Sequence, residues 1–471
     1  SKMSAAEHKA KGNEFFQKEK FEEALQAYNE AIKLTPEDGV LYSNRSATNL
    51  ELTRWAECLE DATTCLKLKP DWFKSYFRRA LALNKVGRNV EARGMCAGGL
   101  ALEEGNKDLR QLRDQVNEPI CVEFGKASAI DFKMDRPPSE DFRTVLKNKL
   151  PLKDAQLNGL AFPQTHRTIL HVAVMCGYSK IAKELVLRGA EIAREDRMGL
   201  SALHMAALIR NDAMLNALSE SWATNQNNST THNASPQDLL DATSFTQQSP
   251  KVLVKVLDSD GKAASLDSMA FMKRFQCFYT RTCQLSDDYF RCMYSSVLDD
   301  EGSELMSNPR KNELTQLFKD STEETKLGLA FIDAASGFGV FALEAIKKDD
   351  YVCSYCGLLA GSDNIKDQPR NGFVMTIMPL DKLPFKTDAS LYRSLGGFLN
   401  HDDAGNVTPE HIVAKGAPMV AFVANKDIAV GEQITYDYRG RLHAIFCEKN
   451  IPNFKTMGPL PAAGLAALQK L

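Results

Sequence analysis

Gly431-Glu432-Gln433-Ile434-Thr435-Tyr436-Asp437-Tyr438 places two tyrosines at alternate positions behind a glycine turn. In an extended strand that spacing puts both rings on one face. Two further clusters lie upstream, Phe398-Leu399-Asn400-His401 and Ser336-Gly337-Phe338-Gly339-Val340-Phe341-Ala342. Glycines let a backbone approach a ligand closely, which suits Gly337 and Gly339. Between the clusters the pattern is one of short β segments: Tyr351-Val352-Cys353-Ser354-Tyr355, Phe373-Val374-Met375-Thr376-Ile377 and Met419-Val420-Ala421-Phe422-Val423-Ala424. Strands at this density, without a long β-α-β alternation, argue against a dinucleotide-binding domain. No further glycine completes a phosphate loop after Gly337-Phe338-Gly339.

In this order, the three clusters and the segment Tyr355-Cys356-Gly357 resemble the SET domain of protein lysine methyltransferases, over residues 328–447. The resemblance implies a mostly β fold with a pseudo-knot, and S-adenosylmethionine as methyl donor. It implies Gly337, Phe338, Gly339, Asn400, His401 and Tyr438 as donor-binding residues. Tyr438 matches the family's catalytic tyrosine, its hydroxyl facing the transferring methyl, and Tyr355 and Tyr436 match the walls of the lysine channel. An aromatic channel suits an alkyl stem with a cationic head. Tyr436 stands where the family carries Phe or Tyr, and its hydroxyl implies a bias toward monomethyl product. Departures are visible too. Asp402-Asp403 follows Asn400-His401 where the family has Ser-Cys, Gly396-Gly397 replaces the usual preceding Arg, and only Cys447 stands where a zinc-binding segment is usual. Cys353 and Cys356 form a single C-x-x-C on a predicted strand, so no metal is expected. The tail 448–471 contains a helical stretch from Ala462, a candidate for closing the channel. Asp402 and Asp403 are candidates for attracting a basic substrate peptide.

At the other end of the chain, self-similarity appears at a period of 34 residues. Gly12, Ser46 and Ala80 are in register, as are Ala24, Cys58 and Ala92, and Ala31, Cys65 and Gly99. Phe21 matches Trp55, and Pro36 matches Pro70. Small residues at fixed points let paired helices cross closely, and proline ends a helix. Residues 4–118 resemble three tetratricopeptide repeats, with a cap helix at 105–117. Lys9, Asn13, Asn44, Lys74 and Arg78 fall on the first helices of these repeats. Their amines, amides and guanidinium suit carboxylates. All five match the two-carboxylate clamp of chaperone-binding repeats, which implies the acidic Glu-Glu-Val-Asp C-terminal tail of cytosolic heat-shock chaperones as partner.

Thr168-Ile169-Leu170-His171-Val172-Ala173 recurs 33 residues later as Ser201-Ala202-Leu203-His204-Met205-Ala206. This resembles ankyrin repeats, assigned to 139–245, with Gly177 and Gly189-Ala190 at turns, a helical cap at 139–160 and a degenerate unit from Ser235-Pro236. In such units the histidine bridges turns rather than binding metal. The module reads equally as a protein-binding array and as a spacer. Thr224–Ser235, rich in Asn, Ser and Thr, reads as an exposed loop. Residues 246–327 read as a helical connector with one possible strand at Lys251–Val256 and helical patterns at Phe271–Thr282 and Glu313–Phe318.

The expected architecture is therefore multidomain: an all-α tetratricopeptide array, α-helical ankyrin-like repeats and a mostly β SET domain. The length of 471 residues accommodates about three domains at roughly 150 residues each. A net charge of −3 gives no general electrostatic reason to bind nucleic acid or membrane. Eleven scattered cysteines favour reduced thiols, and the N-terminus lacks the apolar core of a secretory signal, so cytoplasm or nucleus is expected. The expected activity is protein-lysine N-methyltransfer, on a histone or non-histone substrate, with the repeats recruiting partners. The rival is a chaperone-binding scaffold whose SET domain does not react.

Overall fold

The computed structural model describes residues 3–116, 158, 160–162, 167–175, 178–196, 200–209, 212–225, 235–238, 253–286, 313–314, 317–318, 323–334, 336–361, 374–376, 385–414, 417–438 and 457–471. Contacts group them into two compact units, one holding the N-terminal helices with Met269–Phe278, the other the remaining elements. Gly177, most of the expected ankyrin cap, residues 226–234 of the expected loop and Cys447 lie outside the described residues.

The first unit contains three helical hairpins: α1 (Ala5–Gln17) with α2 (Phe21–Leu34), α3 (Gly39–Glu51) with α4 (Trp55–Leu68), and α5 (Phe73–Lys85) with α6 (Asn89–Leu102). A seventh helix, α7 (107–116), buries Leu109, Leu112 and Val116 as a cap. Ser4 opens α1 with a reciprocal capping box to Glu7, which satisfies two otherwise orphaned N–H groups. The 34-residue period is written into the backbone as well. Glu19, Thr53 and Gly87, at the turns of successive hairpins, all have φ between 56° and 77°. The expected small positions are crossing points: a Cβ added at Gly12 would stand 2.6 Å from the Tyr28 ring, so only glycine lets α1 and α2 meet there.

The ankyrin-like helices Ile169–Met175, Ser179–Leu187, Ala202–Ile209 and Asp212–Ala217 belong to the second unit. His171 accepts at Nδ1 from the Thr168 N–H at 3.0 Å, and its Nε2 lies 3.1 Å from the Leu200 carbonyl. Burial pushes its pKa down to about 4, so it stays neutral and tethers one turn to the next. His204 repeats the local contact, with Ser201 Oγ 2.7 Å from its Nδ1. The turn-bridging role expected of the histidines is present at His171, while the His204 contacts with Ser201 cap its own turn.

The rest of the second unit is strand-rich. A six-stranded sheet runs in the order Asn400–His401, Gln433–Tyr436, Gly337–Ala342, Leu327–Asp333, Val254–Leu257, Ala263–Leu266. A three-stranded sheet orders Val407–Ala414, Ala417–Ala424 and Tyr351–Tyr355, and a four-stranded sheet orders Val374–Thr376, Phe385–Asp388, Leu358–Gly361 and Gln284–Leu285. Three expectations need correcting. The connector is not simply helical, because Val254–Leu257 and Ala263–Leu266 form an antiparallel pair that joins the large sheet. The helix expected over Phe271–Thr282 spans Ser268–Phe275 and gives way to extended chain. The expected loop Thr224–Ser235 begins one helix end later, since Thr224 and Asn225 close the helix Ser219–Asn225.

Of the tail, residues 457–471 are described, and these pack on the large sheet. Its helix Ala462–Gln469 buries Leu468, with Leu460 beside it, against Leu257, Ala330, Phe341 and Leu343. Gln469 Nε2 donates to the Leu343 carbonyl at 2.8 Å, and the Leu460 N–H donates to Gly431 O at 2.9 Å. The tail thus packs on the large sheet and touches the Gly431 turn that leads into the tyrosine strand.

Candidate functional site

The sheet register brings the three sequence clusters together. Asn400 and His401 pair in parallel with Thr435 and Tyr436, while Gln433 and Ile434 pair antiparallel with Phe341 and Val340. Clusters nearly a hundred residues apart in sequence therefore share neighbouring strands.

Tyr436 is the last residue of its strand, and Tyr438, in the turn just beyond it, lies ring against ring with it. Their ring centroids are 4.6 Å apart; Phe422 lies 4.8 Å from Tyr436, and His401 lies 5.1 Å from Tyr438. The Tyr438 N–H donates to His401 Nδ1 at 3.1 Å, and its hydroxyl donates to the Leu399 carbonyl at 2.5 Å. Tyr355, buried at the end of its strand, completes the set: burial raises the pKa of both Tyr355 and Tyr436, and the nearby phenols add to the effect. Burial alone raises Tyr438. All three phenols therefore stay protonated through neutral pH.

The glycine cluster forms a second wall. Gly337 has φ of +70° and open space where a side chain would stand. Phe338 packs edge-on to Phe331 at 5.5 Å. A Cβ on Gly339 would lie 2.7 Å from Ile332 Cδ1, 2.8 Å from Gln433 Nε2 and 3.5 Å from Asn400 Nδ2. Both amide nitrogens are buried and have no hydrogen-bond partner among the described residues. Unpaired buried donors are uncommon because each carries an uncompensated desolvation cost. Orphaned donors beside a glycine wall and an aromatic cleft fit a polar, partly apolar ligand such as S-adenosylmethionine.

Asp403 Oδ1 lies 3.1 Å from His401 Nε2, while the Asp403 side chain stays 67% exposed. His401, Asp403 and Asp437 offer ligand atoms within 4.8 Å of one another, a grouping the expectation of no metal did not foresee. Two participants were missed in the sequence. Gln433 stands inside a motif that was read for its tyrosines, and Leu399 acts through a backbone carbonyl that no residue type announces.

In the first unit, the expected clamp residues occupy the first helices of the hairpins. Asn13 Oδ1 accepts from the Tyr28 hydroxyl at 2.8 Å and from Asn44 Nδ2 at 3.0 Å. With both lone-pair directions used, Asn13 keeps its NH₂ free to donate. Lys9 Nζ lies 3.2 Å from Asp38 Oδ2, a neighbour that the sequence pattern did not reveal. Lys74 Nζ stands 5.9 Å from the centroid of Trp72, and the Arg78 guanidinium 6.0 Å from that of Phe77. Burial lowers the Arg78 pKa, and its Nε is buried without a partner among the described residues.

Comparison with known proteins agrees with this geometry. The SET domain family model matches residues 337–439. The chain carries a SET domain. The TPR repeat model matches residues 12–52 and the ankyrin repeat model residues 165–197. The SET-bearing chain is 40% identical over 128 residues to "Protein STIP1 homolog" of Dictyostelium discoideum, covering 27% of this chain and 23% of that protein. It is 42% identical over 106 residues to "Hsp70-Hsp90 organizing protein" of Triticum aestivum, covering 22% of this chain and 18% of that protein. It thus spans about a fifth of the length of these curated relatives. Similar solved structures include "First TPR of Spaghetti (RPAP3) bound to HSP90 peptide SRMEEVD", at 26% identity and a TM-score of 0.24, covering 24% of this chain and 90% of that one. They also include a humanized mutant of the Chaetomium thermophilum Polycomb Repressive Complex 2 bound to the inhibitor GSK126, at 29% identity and a TM-score of 0.23, covering 25% and 15%. Among the described residues, no helix is long and apolar enough to cross a membrane.

Proposed function

We propose that this SET-domain chain is an S-adenosylmethionine-dependent protein-lysine N-methyltransferase whose tetratricopeptide groove holds an acidic C-terminal peptide. The observation that carries the enzymatic reading is that one pair of strands brings together the aromatic cluster of Tyr436, Tyr438 and His401 and the orphaned amides beside Gly339. When bound, the donor supplies an electrophilic methyl group on a sulfonium.

The chain's own residues do the rest. Asn400, His401, Gly337, Phe338 and Gly339 form the donor wall. Tyr355, Tyr436 and Phe422 line a path for the lysine stem, whose apolar carbons and cationic head both suit aromatic faces. The Tyr438 hydroxyl is fixed by Leu399 O, so it presents oxygen to the reacting centre without the cost of reorienting. The Tyr436 hydroxyl narrows the channel, which favours a single transfer. With the phenols held protonated, the incoming amine sheds its proton before transfer, and no tyrosine takes it up.

Activity should therefore rise between pH 7 and 9 by close to tenfold per unit, following free amine on a lysine whose ordinary pKa is ~10.4. Transfer of labelled methyl from donor to a cell-extract protein, measured across that range, tests the reading. A profile that falls while the fold persists would count against it.

The groove reading rests on Arg78, a buried guanidinium nitrogen with no partner among the described residues. Such a group is stabilised by an incoming carboxylate. The relatives named as Hsp70-Hsp90 organizing proteins support a chaperone tail as the peptide.

A further inference from the structure

Gln433 is 3% exposed and sits two residues from the turn at Gly431. Its Oε1 accepts the Met457 N–H at 2.7 Å. A backbone N–H can only donate, so this bond fixes which end of the carboxamide faces the tail. Nε2 is thereby turned the other way, toward Gly339, where it and Asn400 Nδ2 lie within 2.8 Å and 3.5 Å of one point, the position a Cβ would take. Asn400 is 6% exposed, and neither nitrogen has a partner among the described residues. Gln433 pairs in register with Phe341, two residues beyond Gly339, which explains why the two strands bring it to this wall.

Two buried NH₂ groups that border the same glycine and lack partners among the described residues suit an acceptor with two oxygens. Both are neutral, so they accommodate an anion without needing to surrender an existing salt bridge. S-adenosylmethionine carries one anionic group, the carboxylate of its amino-acid end. We infer that Gln433 is a further donor-binding residue, holding that carboxylate together with Asn400, and that the Met457 N–H of the C-terminal segment is what keeps its amide pointed there. The inference rests on the donor-binding reading above. It also gives the tail a role: the Leu460 and Leu468 anchors hold Met457 in place, and Met457 sets the donor wall without itself touching the donor.

The test compares two ligands by calorimetry on the full chain. S-adenosylhomocysteine has the amino-acid end; 5′-methylthioadenosine lacks it. Gln433→Ala should weaken the first by about 10- to 100-fold, the range for a hydrogen bond to a charged group, and leave the second within about twofold. Gln433→Glu keeps the acceptor for Met457 but places an anion against an anion, and should weaken S-adenosylhomocysteine further while still sparing methylthioadenosine. Met457→Pro, which removes the N–H donor together with the Met457 side chain, should reproduce a weaker version of the same selectivity. Circular dichroism of each variant checks that the sheet persists. Equal losses for both ligands, or unchanged affinity for S-adenosylhomocysteine in folded variants, would overturn the role of Gln433. Failure of the wild type to bind either ligand would instead overturn the donor-binding reading, and this inference with it.

Discussion

Asp38 stands between the proposed clamp and its ligand, and replacing it gives a quantitative test. Its Oδ2 lies 3.2 Å from Lys9 Nζ, and both side chains are 32% exposed. A carboxylate ligand must displace this internal one. Ion pairs at such exposure contribute about 0.2–1 kcal/mol, so removing the competitor should tighten a peptide ending in Glu-Glu-Val-Asp by about 1.5- to 5-fold. Asp38 has a second task, because its Oδ1 accepts the Val40 N–H at 2.9 Å and caps α3. Asp38→Asn keeps that cap; Asp38→Ala loses it and should cost about 1 kcal/mol of stability. Both variants should gain affinity in calorimetry at low salt, only the alanine variant should melt earlier, and the gain should shrink as salt screens the pair. Arg78→Ala, by contrast, should lose about 10- to 100-fold. Unchanged or weaker peptide binding by both Asp38 variants, in folded protein, would refute the assignment of Lys9 to the clamp.

Two further outcomes follow from the SET unit. Glu323 is buried, accepts the Tyr351 hydroxyl at 2.8 Å and the Ser354 N–H at 3.3 Å, and neighbours Glu324, Arg281, Tyr279 and Cys353. Burial, then Glu324, pushes its pKa from 4.5 up to about 7. A raised carboxyl contributes stability that is full below its unfolded pKa and lost as pH rises through the folded one. Calorimetric melting of the wild type should therefore lose up to roughly 3 kcal/mol from this group between pH 4.5 and 7, a slope that Glu323→Gln should flatten; parallel profiles would remove Glu323 as its source. Tyr436→Phe, which clears a hydroxyl from the channel wall, should shift products toward higher methylation in mass spectra. An unchanged product distribution would dissociate Tyr436 from product control.

The helical repeats were legible because their period is local. Each hairpin reuses small residues at Gly12, Ser46 and Ala80, and the backbone repeats even its left-handed turn at Glu19, Thr53 and Gly87. The tyrosine pair was legible because Tyr436 and Tyr438 are close in sequence, although the strand ends at Tyr436 and Tyr438 reaches its neighbour from the turn beyond. What escaped depends on distant partners. The possible strand at Lys251–Val256 was legible in part, but Ala263–Leu266 was not, because its strand identity comes from pairing with Val254–Leu257, which in turn pairs with Leu327–Asp333. Glu323 and Glu324 carry no signal in the sequence; their burial is seen only with the distant Tyr279 and Tyr351 hydroxyls that donate to them. Gln433 carries no chemical signal of its own; its meaning comes from a backbone N–H at Met457, in a tail whose helical stretch was only a candidate for channel closure.

Whether the aromatic cleft transfers a methyl group decides the enzymatic reading. Labelled-methyl transfer from S-adenosylmethionine to extract protein, comparing wild type with Tyr438→Phe, addresses that directly. The wild type should label a protein lysine, and Tyr438→Phe, which removes only the hydroxyl held by Leu399 O, should lose at least about tenfold of the rate while still binding donor. Donor binding with no transfer by the wild type, or equal rates for the two proteins, would contradict it.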